Sequence, residues 1–245
     1  MEILGIDVGG SGIKGAPVNI ETGTLTADRF RLKTPKGAEP EPVALVVVEI
    51  VKHFGWTGPV GIGFPAPIKH GIVKMAANIS PGWIGLNADD VLTKATGCDV
   101  TVGNDADVAG LAEMAFGAGK GQTGTVIMVT LGTGIGSAIF CEGRLLPNTE
   151  FGHMKIKGED AEARASDAAR ERENLSWEEY AKRLNRFLSR MEKLFWPDLF
   201  IIGGGISKYS DQYIPLLTVE TKVVKAQFQN EAGIVGAALA ARPEK

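Results

Sequence analysis

The chain has little of what redox and metal chemistry use: its 245 residues include two cysteines and three histidines. Cys98 and Cys141 are isolated, without metal-ligand spacing, which argues against a metal ribbon or a disulfide framework. Reduced cytosolic thiols are the simplest interpretation. Charge of one sign is also lacking, with a net of −3, so the molecule as a whole does not attract nucleic acid or an anionic membrane. A local basic patch could still hold a polyanion. No stretch has the length and apolarity of a membrane span. The N-terminus enters a β-rich run, Ile3-Leu4-Gly5-Ile6, with neither a basic leader nor a long apolar one. The expectation is a soluble cytoplasmic protein that binds neither nucleic acid nor membrane. With 44% hydrophobic and 22% charged residues, it can build one large or two medium domains.

Glycine is abundant, at 32 residues, and clusters after short apolar runs. Glu2–Val8 reads as a strand ending in Asp7. Gly10, Gly12 and Gly15 then match G-x-G-x-x-G, but that fingerprint needs a following helix. Pro17, Val18 and Ile20 instead turn the chain back as a second strand, and a third is expected over Thr24–Leu32. Pro42–Phe54 has helical apolar spacing, Gly61–Phe64 is a short strand, and Ile72–Met75 fits a small hairpin arm. Asn78–Gly85 is an irregular loop. Asn87–Thr96 reads as a helix ended by Gly97. Thr125–Thr130 is a buried strand, Leu131–Gly136 a second glycine turn, and Ser137–Cys141 a returning strand. The pattern strand, glycine turn, strand thus occurs twice, as in two related lobes. Glu159–Arg172 reads as a charged helix. Ser176–Phe195 reads as an amphipathic one, with a Ser176/Glu179 capping box and an apolar face of Leu184, Phe187, Leu188, Met191, Leu194 and Phe195. Asp198–Ile202 is a strand before Gly203-Gly204-Gly205 and a helix from Ser207. Glu231–Ala241 closes the chain as a small-residue helix, where Gly233 and Gly236 permit close packing.

The chemistry is expected around Val100–Glu113. A β-rich run, Val100–Val102, ends at Gly103. Asn104 and Asp105 follow on a turn before a helix, where a carboxylate faces a ligand well. The plainer alternative is a turn and a helix cap. Consecutive glycines let backbone N–H groups converge on an anion, so Gly9, Gly10, Ser11 and Gly12, and likewise Gly132, Thr133, Gly134 and Gly136, read as phosphate cradles. For either turn alone, a ligand-free β-hairpin is an equal reading. Asp7 could hold Mg²⁺ through water, and Lys14 adds a point charge.

The run Ile6–Lys14, the pair Asn104-Asp105, Leu131–Gly136, Glu150-Phe151-Gly152-His153 and Phe200–Ile206 together resemble the ROK family of sugar kinases and repressors, over almost the whole chain. Asn148–His153 and Trp196–Ser207 are most similar to its polyphosphate-using glucokinase branch. The resemblance implies an α/β, two-lobed actin-like ATPase (ribonuclease H-like) fold with a duplicated hairpin-containing core. Residues 1–107 would form a small lobe and 108–230 a large one, with 231–245 packing back on the first. It implies phosphoryl transfer from polyphosphate to the 6-hydroxyl of glucose, with mannose and ATP left open as further substrates. Asp105 would be the base. Asn78, Asn104, Glu150, His153 and Glu162 would hold the remaining hydroxyls, and Gly203, Gly204 and Gly205 would contact a nucleotide. Mg²⁺ is the implied cofactor and a homodimer the expected assembly.

One departure concerns zinc. Most kinases of this family place three closely spaced cysteines just after the E-x-G-H motif, whereas here Met154–Ala161 has none. No zinc is expected, and His153 must be aligned by another group, such as Glu162 or the backbone. Glu162 also reads as a plain surface residue, and Trp83 as local packing. Lys182, Arg186, Arg190 and Lys193 read as the solvated side of a helix with a smaller claim to guiding a phosphate chain, and Lys120 is similar. The rivals are a strictly ATP-dependent hexokinase of the same fold, a sugar-sensing repressor and an actin-like filament protein. The start on a strand, with no DNA-reading segment before Asp7, argues against the repressor, and Asn104, Glu150 and His153 argue against the filament.

Overall fold

The computed structural model describes residues 1–243. In chain order the elements are β1 (Glu2–Val8), β2 (Ile13–Asn19), β3 (Thr24–Leu25), β4 (Phe30–Leu32), α1 (Pro40–His53), β5 (Val60–Phe64), β6 (Ile68–Lys69), β7 (Ile72–Val73), α2 (Ala88–Thr96), β8 (Val100–Asn104) and α3 (Asp105–Phe116). They continue with β9 (Thr125–Leu131), β10 (Ile135–Cys141), β11 (Arg144–Leu146), β12 (Lys155–Ile156), β13 (Glu159–Asp160), α4 (Ala161–Ala165), α5 (Asp167–Arg172), α6 (Trp177–Phe195), β14 (Leu199–Gly203), α7 (Ser210–Tyr213), β15 (Lys222–Lys225) and α8 (Ala232–Ala240). Short 3-10 turns intervene, among them Pro81–Trp83, Phe151–His153 and Gly205–Tyr209. Two compact units result: Met1–Ala112 with the residues from Glu231 onward, and Glu113–Asn230.

Each unit is built on one sheet, and the two sheets share a plan. In the first the order is β3-β2-β1-β5-β8, with β4 also on β2; in the second it is β11-β10-β9-β14-β15. Each has an antiparallel hairpin at its centre, β1 with β2 and β9 with β10. Each extends by parallel strands, β5 and β8 in one, β14 and β15 in the other. The duplicated hairpin core inferred from the glycine turns is therefore present, in the two-lobed actin-like ATPase fold. Val8 pairs with Ile13 across the first turn and Leu131 with Ile135 across the second, so the first glycine run is a hairpin and not a dinucleotide fingerprint.

In the first unit α8 lies on β1, β5 and α3 at backbone contact. A Cβ at Gly5 would meet the Ile234 carbonyl, one at Gly61 the Ala237 carbonyl, and one at Gly236 the Val108 carbonyl. The absence of a side chain at Gly5 and Gly61 of the strands and at Gly236 of the helix is thus a packing requirement. In the second unit Ser176 and Glu179 form the expected capping box, and α6 buries Tyr180, Ala181, Leu184, Phe187, Leu188 and Met191 against Ile127, Val129, Leu131 and Phe200 of the sheet.

Several boundaries differ from expectation. The strand expected over Thr24–Leu32 is two, β3 and β4. Pro17 of β2 accepts from Thr26 N through its carbonyl but has no N–H to return, so the outer strand is interrupted there. The helix expected over Glu159–Arg172 begins as strand β13 and breaks at Ser166, whose hydroxyl accepts from Ala169 N and starts α5 anew. Leu194, assigned to the buried face of α6, is 59% exposed, at the edge of the stripe in the last turn. After Gly204 the chain makes a 3-10 turn, and α7 begins at Ser210, not Ser207. The strand before Asp105 runs through Gly103 to Asn104, leaving no turn between it and α3. Among the described residues, no helix is long and apolar enough to cross a membrane.

Candidate active site

In the first unit the site is built at the ends of β1 and β8. Asn104 is buried at the end of β8, and its Oδ1 accepts from Ala106 N at 2.9 Å and Asp107 N at 3.1 Å. It caps α3, so the plainer alternative for Asn104 holds for its Oδ1. That cap fixes the backbone presenting Asp105, the first residue of the helix. The half-buried Asp105 places Oδ1 2.7 Å from Ala106 N, where helix N–H groups favour a carboxylate. Asn78 lies exposed on the loop before the Pro81–Trp83 turn. Trp83 is fully buried and donates from Nε1 to the Ala38 carbonyl at 3.0 Å, a packing residue as expected.

The first glycine turn is closed by Gly9 N donating to the Gly12 carbonyl at 3.1 Å. Lys14 does not stand as a lone point charge. It faces Asp7 across the hairpin, and its Nζ lies 3.0 Å from Asp7 Oδ2. Asp7 is also held from the far side: a Cβ on Gly233, in the first turn of α8, would come within 2.7 Å of its Cγ. The partly buried carboxylate keeps the hard oxygen donors that suit a water-coated Mg²⁺.

In the second unit the corresponding turn is closed by Gly132 N on the Gly134 carbonyl at 3.1 Å. Ile135 N donates to Glu162 Oε2 at 3.3 Å. Glu162 is therefore not a plain surface residue, since it ties α4 to the end of the turn. The Asn148–His153 loop is fastened to β10 by Ser137, which donates to the Thr149 carbonyl at 2.8 Å and accepts from Phe151 N at 3.2 Å. Phe151 packs edge-on against Phe195 of α6, ring centres 5.1 Å apart. Glu150 and His153 thus sit on a rigid turn. Burial raises the Glu150 carboxyl above the ordinary range, His153 opposes this, and Glu162 adds to it.

His153 is aligned by a group the sequence reading missed. Its Nδ1 lies 3.5 Å from Asp160 Oδ2, with Glu162 Oε1 farther off at 3.9 Å. Asp160 sits on β13, paired with β12 around a tight turn in which Lys157 and Gly158 have φ of 55° and 85°. Lys155 Nζ holds the other Asp160 oxygen at 2.7 Å. The Asp160 carboxyl is lowered mainly by the hydrogen bond from Lys155 and further by His153. The cysteine-free segment is thus a small hairpin that carries a carboxylate back to the imidazole. Its signal in the sequence was Gly158, a glycine free to take the positive φ of a tight hairpin turn. Among the described residues, no group of three or more His, Cys, Asp or Glu side chains is placed to hold a metal ion.

Of the three glycines after β14, Gly204 is required by the fold itself. Its φ of 81° and ψ of −179° are accessible to glycine alone, and a Cβ there would strike the Leu131 backbone. Gly203 abuts Met128, and only Gly205 borders open space. Lys120, Lys182, Arg186, Arg190 and Lys193 are all exposed.

The ROK family model matches residues 3–169. The polyphosphate glucokinase of Mycobacterium tuberculosis is 50% identical over 97% of this chain and 90% of its own length. The crystal structure of an inorganic polyphosphate/ATP-glucomannokinase from Arthrobacter sp. strain KM is likewise 50% identical, with a TM-score of 0.94 over 97% of each chain. A ROK family glucokinase from Streptomyces griseus, solved with glucose and AMPPNP, is 27% identical, with a TM-score of 0.85 over 99% of each chain.

Proposed function

The chain belongs to the ROK family, and from that premise we propose that it is a polyphosphate-dependent glucokinase, transferring a terminal phosphoryl group to the 6-hydroxyl of glucose. The observation that carries this reading is the 50% identity to a polyphosphate glucokinase over 97% of the chain. The first unit supports it with a carboxylate at the head of α3 and a glycine turn beside a second carboxylate, and the second unit with a repeat of that turn and a fixed cluster of Glu150, His153 and Glu162.

In this reading Asp105 takes the proton of the 6-hydroxyl as its oxygen attacks the terminal phosphorus in line. A positioned base contributes about 10²–10⁴ in rate. Phosphoryl transfer otherwise needs placement and charge stabilisation more than covalent help, and the N–H groups of the turns provide both. The carboxylates of Glu150 and Glu162 accept hydrogen bonds from sugar hydroxyls, and His153, oriented through Nδ1 by Asp160, meets one with Nε2. Asn78 and the side chain of Asn104 are the remaining sugar contacts. A divalent cation, which we take to be Mg²⁺ at Asp7, would neutralise phosphate charge when bound. No zinc is assigned.

ATP is a second donor in this reading and mannose a second acceptor, because the Arthrobacter relative is a polyphosphate/ATP-glucomannokinase at 50% identity. The deciding experiment is an initial-rate matrix of polyphosphate and ATP against glucose, mannose and other hexoses. Turnover of glucose with polyphosphate is expected, and turnover with ATP alone would establish the strictly ATP-dependent alternative. Asp105→Asn is expected to lower kcat by about 10²–10⁴ with the KM for glucose little changed. Near-normal turnover would remove Asp105 from the base role.

A further inference from the structure

The cation of the first glycine turn is not the one in its motif. Lys14 is neutralised by Asp7 at 3.0 Å. Directly opposite Lys14 in the ladder stands Arg31 of β4, which is exposed and has no carboxylate partner among the described residues. Its guanidinium lies across the turn: Nη2 donates to the Ser11 carbonyl at 3.1 Å and approaches Ser11 Oγ at 3.4 Å. A Cβ on Gly12 would come within 2.5 Å of both Nε and Nη2, so the absence of a side chain at Gly12 is what lets Arg31 lie there.

Three of the four carbonyls of this turn are engaged. Gly9 O accepts from Thr34 Oγ1 at 2.5 Å, Ser11 O from Arg31, and Gly12 O from Gly9 N. The N–H groups of Gly10, Ser11 and Gly12 have no protein acceptor among the described residues, and the space beside Gly10 is open. Mostly satisfied acceptors, unclaimed donors and an uncompensated guanidinium together make an anion site. Arginine suits it because its fork offers five donors, of which the turn uses few.

We propose that Arg31 is a phosphate ligand of the donor site, gripping the phosphate chain at the Gly9–Gly12 turn in the role the sequence motif suggested for Lys14. This rests on the phosphoryl-transfer reading above and adds a residue to it. A hydrogen bond to a charged group, lost on substitution, weakens binding about 10- to 100-fold.

Arg31→Gln is therefore expected to raise the KM for polyphosphate by about that factor, with kcat and the KM for glucose changed less than about threefold. Arg31→Lys restores the charge without the fork and is expected to recover part of the loss. Gly12→Ala, which displaces the guanidinium but keeps its charge, is expected to fall between. Urea midpoints of the Arg31 variants should match the parent, since the residue is exposed. An unchanged donor KM in Arg31→Gln, or an equal rise in the KM for glucose, overturns the proposal. Calorimetric titration of the full chain with tripolyphosphate separates this outcome from failure of the functional reading. If the parent chain phosphorylates no sugar, binding of tripolyphosphate that Arg31→Gln weakens by about 10-fold or more still supports the ligand role. Equal binding by both, or none by the parent, overturns it.

Discussion

At the scale of single residues, the second unit keeps a carboxylate in an unfavourable place. Burial and the neighbouring Glu162 raise the Glu150 carboxyl, against the opposing pull of His153. A raised folded-state value means the native state binds the proton more tightly than the unfolded chain does. The stabilising contribution is then complete below the ordinary value of 4.5 and is lost as pH rises through the folded-state value. At neutral pH the charged Glu150 costs stability. Glu150→Gln is expected to raise the thermal midpoint at pH 7–8, to lose that advantage as pH falls toward 4, and to raise the KM for glucose. A variant destabilised at neutral pH would show that the carboxylate is held there by favourable contacts.

At the scale of elements, the decisive contacts are those of α8 on the first sheet and on α3, made glycine to backbone. Gly236 meets the Val108 carbonyl with no room for a methyl group, and two backbones cannot yield as a side chain can. Gly236→Ala is expected to cost about 1–3 kcal/mol through overpacking, more than the helix propensity it gains. Gly10→Ala, where the space is open, should change stability by less than about 0.5 kcal/mol. Urea unfolding of the two variants tests the contrast, and equal midpoints would remove the close-packing argument. The same scale shows where periodicity runs out as a guide. The capping box and the small-residue helix were readable because their signals are local. The split of the Thr24–Leu32 strand was not, because it depends on which neighbour asks Pro17 for an N–H. The break at Ser166 lay in an Ala/Glu/Arg pattern that only Ser166-Asp167, an N-cap signal, interrupts.

At the scale of the whole molecule, the net charge is −3, so a polyanionic donor is attracted only by local features. Screening acts on such an interaction and not on hydroxyl recognition. Raising ionic strength from about 0.05 to 0.5 M is therefore expected to raise the KM for polyphosphate severalfold while leaving that for glucose nearly constant. Parallel changes in both would point to a general effect of salt on the fold.

The residues alone determined that two strand–glycine–strand hairpins recur, that a carboxylate stands at a strand-to-helix junction, and that a cysteine-free segment follows Glu150–His153. These are statements about neighbours in the chain, and local rules of turn, cap and period govern them. Only the tertiary structure decided which charges meet. Lys14 is consumed by Asp7, Arg31 arrives from another strand to lie over Gly12, and Asp160 returns on a hairpin to face His153. Side-chain electrostatics acts over a few ångströms of space whatever the separation in sequence, so the partners of a charge become known only when the strands that carry them are paired.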